Sequence, residues 1–162
     1  MFFKNKNILL GVTGGIAAYK AAEIIRCFKK EGADVRVVMT ESAKEFITPL
    51  TLQAVSGNEI HDSLLDIKAE SAMGHIELAK WADILLIAPC TAETMAKITH
   101  GRADDLLGSI ILASKANIYL APAMNMNMWL DESTQENFKI LSSREITFIG
   151  PAKGEQACGD VG

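Results

Sequence analysis

Short apolar runs alternate with helix-patterned stretches along this chain, and that alternation leaves few folds open to it. Ile8 to Val12 leads through Thr13 into Gly14-Gly15 and reads as a buried strand. The following stretch, IAAYKAAEIIRCFKKEG, has helical spacing: Ala17, Ala21, Ile24, Ile25 and Phe28 share one face. Basic residues close its last turn and Gly32 supplies the stop. Val35, Val37 and Met39 alternate with their neighbours, which predicts a second strand ending at Thr40. A helical stretch comes next, in which Pro49 opens a new helix that Gly57 ends, and a short strand near Glu59–Asp62 leads into a polar loop. HIELAKWAD is a short helix with Trp81 placed in the core, and ILLIAP a buried strand. Helices follow over 91–99, ended by Gly101, and over 104–114, with Asp104 as its cap. NIYLAP is a strand, Ser133 and Glu136 have capping-box spacing before a helix through Ser143, and EITFIG is the last strand. A glycine-rich tail, GPAKGEQACGDVG, ends the sequence.

Strands that alternate with helices imply a parallel sheet with helices on both faces. The expected architecture is α/β: a three-layer Rossmann-like or flavodoxin-like fold with a six-stranded parallel sheet, in one domain over residues 1–162. Such sheets bind ligands at the carboxyl ends of their strands, where the strand order reverses. Gly14-Gly15, Thr40, Pro89 to Thr94 and Pro122 to Asn125 all fall at those ends.

The hydrophobic share of 49% in 162 residues suits one well-filled core, and a net charge of −4 argues against nucleic acid or an anionic membrane as partner. No apolar run reaches the roughly 18 residues needed to span a bilayer. The N-terminal stretch is broken by glycine too early for a secretory signal, so a cytoplasmic location is expected. Cys27, Cys90 and Cys158 are too widely spaced for a disulfide framework or a CxxC pair, and no His, Cys, Asp or Glu grouping has metal-ligand spacing.

Four motifs carry chemistry. In GVTGGIAAYK, two glycines between a strand and a helix let the backbone approach a ligand and set N–H groups beside an anion, phosphate above all. The spacing is GxxGG and not the dinucleotide GxGxxG. Thr40 and Ser42 offer hydroxyls after the second strand, while Glu41 between them could instead hold an NAD ribose. In GHIELAKWAD, His75 opens a helix, where the dipole disfavours the charged imidazole. In APAMNMNMW, a turn after a strand presents Asn125, an uncharged donor for a carboxylate. In ACGDVG, Cys158 sits in a small-residue loop where a thiol can be reached. Taken singly, each has a bland reading as a tight turn, a cap, packing, or an ordinary cysteine.

In order and separation these segments, with APCTAETMAKI, resemble the successive signatures of the flavin-dependent cysteine decarboxylase family over about residues 7–162. The resemblance implies FMN as cofactor, bound between subunits of homotrimers that commonly gather into a homododecamer. It implies that Gly14, Gly15, Ile16, Thr40 and Ser42 hold the phosphate and ribityl chain, and that Thr91, Ala92, Glu93, Thr94 and Ala123 line the flavin. His75 would be the catalytic base, Asn125 would hold the substrate carboxylate with Met128 beside it, and Cys158 would be a proton donor. The implied substrate is phosphopantothenoylcysteine, decarboxylated to phosphopantetheine in coenzyme A synthesis. Bacterial relatives usually continue past ACGDxG into a phosphopantothenate–cysteine ligase domain, so a longer bifunctional chain is expected. Glu93 departs from the pattern, since many relatives carry Asn, and a carboxylate there must be solvated or paired. Peptidyl-cysteine decarboxylases share the His and Asn motifs, and non-catalytic flavin-binding regulatory subunits share the fold; both stay open at this point.

Overall fold

Six parallel strands in the order β3-β2-β1-β4-β5-β6 form the centre of the computed structural model, which describes residues 1–64, 74–152 and 154. They are β1 (Asn7–Val12), β2 (Asp34–Met39), β3 (Ile60–His61), β4 (Ile84–Cys90), β5 (Asn117–Pro122) and β6 (Thr147–Phe148). The order reverses between β1 and β4, so their carboxyl ends part and open a crevice there. β1 lies in register with both neighbours, Ile8 facing Val35 on β2 and Ile84 on β4.

Strand alternation sorts the core into two layers. Ile8, Leu10 and Val12 of β1 join Val35, Val37 and Met39 of β2 on one face. Helices α1 (Ala21–Lys30) and α2 (Pro49–Ser56) cover that face with Ala21, Ile25 and Leu52. Leu9, Val38, Leu85 and Ile87 look the other way. Over them lie α3 (His75–Trp81), α4 (Ala92–Thr99), α5 (Leu106–Ala113) and α7 (Glu132–Ser143). The short α6 (Met126–Leu130) precedes α7. In α5, Leu106, Leu107, Ile110 and Ile111 are all buried, and each such side chain contributes roughly 1.5–3 kcal/mol on leaving water. Close packing explains Gly11: a Cβ there would lie 2.7 Å from Ile87 Cδ1 and 2.9 Å from Leu107 Cδ1. Among the described residues no helix is long and apolar enough to cross a membrane.

Several boundaries differ from the sequence expectations, each for a local reason. The first helix begins as a 3-10 turn, Ile16–Lys20, and its tighter winding buries Ala18 in place of Ala17. A second 3-10 turn, Ser42–Glu45, follows Thr40. The cap of α5 is Asp105 and not Asp104, because the Asp105 carboxylate accepts the Gly108 N–H at 2.7 Å. Asp104 turns outward to Lys97 and Arg102. The capping-box expectation at Ser133 fails in the same way: Asp131 caps α7 by accepting Ser133 N–H at 3.0 Å. At α7 a carboxylate outcompetes the serine hydroxyl because an anion meets both the free amides and the helix dipole. Trp81 packs at the edge of the core, with Arg36 stacked 4.9 Å over its ring. Gly57 ends α2 in the left-handed conformation, at φ 76°, as its sequence position implies.

Candidate functional site

Thr13 sits at the reversal point and holds it together. Its side chain is buried and its Oγ1 donates to the Pro89 carbonyl at 2.6 Å, while Thr91 N–H donates to the same hydroxyl at 3.2 Å. One hydroxyl thereby ties the end of β1 to the end of β4. Nothing in the sequence singled it out beyond a threonine at the strand end before the glycines.

Two cavities open above this tie. The first, about 290 Å³, lies between Gly14, Thr40 and Ser42 on one side and Thr91, Ala92, Glu93 and Thr94 on the other. The second, about 610 Å³, runs from Gly14, Gly15 and Ile16 past Ala123 to Asn125. Gly14, Thr91, Ala92 and Met128 line both, so the two adjoin and are together the groove.

The two glycines serve space and not backbone conformation, since neither has a positive φ. A Cβ on Gly14 would run into the Ser42 side chain and lie 2.9 Å from its carbonyl carbon. A Cβ on Gly15 would meet only Thr91 Cγ2 at 3.9 Å and Pro89 Cγ at 4.0 Å, so its absence enlarges the groove. Thr40 Oγ1 and Ser42 Oγ lie 3.2 Å apart, two hydroxyls that can turn to a common anion. Across the groove, Thr91 caps α4 by accepting Thr94 N–H at 3.2 Å. The amides of Ala92 and Glu93 belong to the first turn, where helices lack internal acceptors. Close backbone, paired hydroxyls and a helix N-terminus are the donor set a phosphate ester with a polyhydroxyl chain requires. The residues present therefore fit a flavin mononucleotide.

Asn125 is the N-cap of α6: its Oδ1 accepts Asn127 N–H at 2.8 Å. With the oxygen committed, the amide faces the cavity chemically as an N–H donor. Met128, half exposed, stands one turn further along the same helix.

Among the expected cofactor residues, Gly14, Gly15, Ile16, Thr40, Ser42, Thr91, Ala92, Glu93, Thr94 and Ala123 all line the groove, as do Asn125 and Met128. His75 does not. It is the first residue of α3 after Gly74, as expected, but lines neither cavity. Cys158 lies outside the described residues. Cys90 belongs to the core, where burial pushes its thiol far above the ordinary range and leaves it unreactive.

Sequence reasoning missed one wall of the first cavity. Lys97, Arg102, Asp105, Leu107 and Gly108 line it, and the charged ones form a network. Lys97 Nζ lies 3.1 Å from Asp104 and 3.5 Å from Asp105; Arg102 lies 3.1 Å from Asp104 and 3.8 Å from Glu93. Burial works to lower the Lys97 pKa, but its hydrogen bond to Asp104 and the charge of Asp105 raise it overall. The signal was available as GRADD, a charged turn placed directly after a glycine-ended helix.

The Flavoprotein family model matches residues 3–162. The Vibrio vulnificus coenzyme A biosynthesis bifunctional protein CoaBC is 58% identical over 157 residues, covering 97% of this chain and 39% of its own length. The chain thus spans about two fifths of the curated relatives it matches. Among solved structures, a PPC decarboxylase mutant complexed with pantothenoylaminoethenethiol superposes with a TM-score of 0.84 at 36% identity, covering 98% of this chain and 89% of that one. The FMN-dependent cysteine decarboxylase SpaF superposes with a TM-score of 0.87 at 30% identity, covering 99% and 91%. A parallel six-stranded sheet with a phosphate-suited groove at its reversal point, and a family match over nearly every residue, lead to one conclusion: the chain belongs to the Flavoprotein family.

Proposed function

We propose that this chain is an FMN-dependent carboxy-lyase that converts phosphopantothenoylcysteine to phosphopantetheine. It would act as the decarboxylase part of a longer, cytoplasmic protein of coenzyme A synthesis that also carries the phosphopantothenate–cysteine ligase. One observation supports this reading above the others: a hydroxyl-lined cavity shares a wall with a second cavity presenting Asn125. The likeness to bifunctional coenzyme A proteins and to a PPC decarboxylase narrows the substrate class.

A cysteinyl carboxylate does not readily lose CO₂, because the resulting carbanion has no neighbouring electron acceptor. Bound FMN supplies a reversible two-electron oxidation of the thiol-bearing carbon, which creates that acceptor. The residues of this chain do the rest. Gly14, Gly15, Ile16, Thr40 and Ser42 hold the phosphate and ribityl chain. Thr91 to Thr94 and Ala123 border the ring. Asn125 donates to the substrate carboxylate without adding charge, and Met128 packs beside it. His75, the first residue of α3, is the base. Cys158 returns a proton to the decarboxylated product.

His75 is not among the residues lining the groove of its own chain, which supports a site completed by a second copy. Ile16, Tyr19, Met126 and Met128 around the groove are exposed and apolar, which suits coverage by a neighbouring subunit. We assign the assembly as a homotrimer, gathered into a homododecamer.

The test is the mass of the product formed from phosphopantothenoylcysteine. The unmodified chain should yield phosphopantetheine with CO₂. Cys158→Ser should release CO₂ and stop at the dehydrogenated enethiol, which is lighter. Saturated product at the normal rate from that variant would remove Cys158 from the mechanism. Failure of the unmodified chain to consume the substrate, while it still binds FMN, would overturn the substrate assignment.

A further inference from the structure

Glu93 lines the groove and raises an electrostatic problem, since an anionic nucleotide is to bind beside a carboxylate. The charged wall resolves it. Three carboxylates, Glu93, Asp104 and Asp105, stand against two cations, Lys97 and Arg102. Lys97 is engaged by Asp104 and Asp105. Among the described residues, Arg102 is the one cation within 4.0 Å of Glu93. Its guanidinium also holds Asp104 at 3.1 Å, so it links the first turn of α4 to the turn before α5 along the cavity wall.

We propose that Arg102 is a positioning residue for the flavin nucleotide: it holds Glu93 neutralised at the rim, so that an anionic ligand meets a wall with one excess negative charge and not two. The inference rests on the FMN reading above and deepens it. Without Arg102, the local balance passes from one excess negative charge to two. The Arg102 and Glu93 side chains are 56% and 68% exposed, so each charge is well solvated and the effect is modest and screened by salt. Arg102 contributes its side chain to neither apolar core layer, so its replacement leaves the fold intact.

The test is the FMN dissociation constant, read from flavin fluorescence on titrating deflavinated protein. Arg102→Gln should weaken binding about fivefold near 50 mM salt and less than about twofold near 500 mM. Arg102→Gln with Glu93→Gln should restore affinity to within about twofold of the unmodified protein, a rescue that a purely structural role for Arg102 cannot produce. Equal affinity in Arg102→Gln, a salt-independent loss, or absence of rescue would each overturn the proposal while leaving FMN binding in place. An unmodified chain that binds no FMN would overturn the underlying cofactor reading, and this inference with it.

Discussion

Replacing Gly14 with alanine perturbs the groove at its tightest point. The new methyl would collide with Ser42 Oγ, which a rotamer change can relieve, and with Ser42 Cβ at 2.5 Å, which it cannot. It would also lie 2.9 Å from the Ser42 carbonyl carbon, which no rotamer change relieves. The backbone must therefore move, either the β1 exit or the Ser42–Glu45 turn. Overpacking of this kind costs about 1–3 kcal/mol. In a domain of this size that lowers the unfolding midpoint by about 3–10 °C. The displaced turn carries Thr40 and Ser42 away from a ligand, and a loss of about 1–3 kcal/mol on binding lowers flavin affinity by about 5- to 150-fold, since 1.4 kcal/mol equals one decade. Gly15→Ala is the control: its methyl meets nothing closer than 3.9 Å, so stability should hold while the groove narrows. Thermal unfolding and the flavin-to-protein absorbance ratio measure both effects. A Gly14→Ala protein with an unchanged midpoint and full flavin content would refute the packing argument.

His75→Asn and Asn125→Asp should each keep flavin bound and lower product formation by more than about 100-fold, the second because two like charges in a dry site cost several kcal/mol. Full turnover by either variant, measured by product mass, would remove that residue from the mechanism. His61 is 5% exposed, and desolvation, followed by the Arg36 charge, holds its pKa below the ordinary 6.5. Glu59 and Asp62 oppose this more weakly. Below about pH 6.5 the unfolded chain then binds more protons than the folded one, so stability is greatest above that pH and is lost as pH falls through the folded value. Urea unfolding should show this slope, His61→Gln should flatten it, and an identical slope in the variant would discount the burial argument.

The sequence by itself determined the elements and their chemistry. The apolar run Ile8–Val12, the alternation in Val35–Met39, the glycine stops at Gly32 and Gly57, and proline at Pro49 are local signals, and each produced the element it implied. The groove-lining segments were legible for a related reason: parallel sheets place strand ends together, so Gly14, Thr40, Thr91 and Ala123 had to converge. Choices between adjacent candidates were not legible. Asp105 over Asp104, Asp131 over Ser133 and Ala18 over Ala17 depend on which backbone N–H or core wall each residue meets once helices dock. The charged bridge from Arg102 to Glu93 joins residues nine positions apart across a turn whose path the sequence pattern leaves open. Tertiary structure alone also decided that Asn125 lines the groove and that His75 is not among its lining residues. Sequence order records which residues are present; where each helix packs against the sheet decides which of them line the groove.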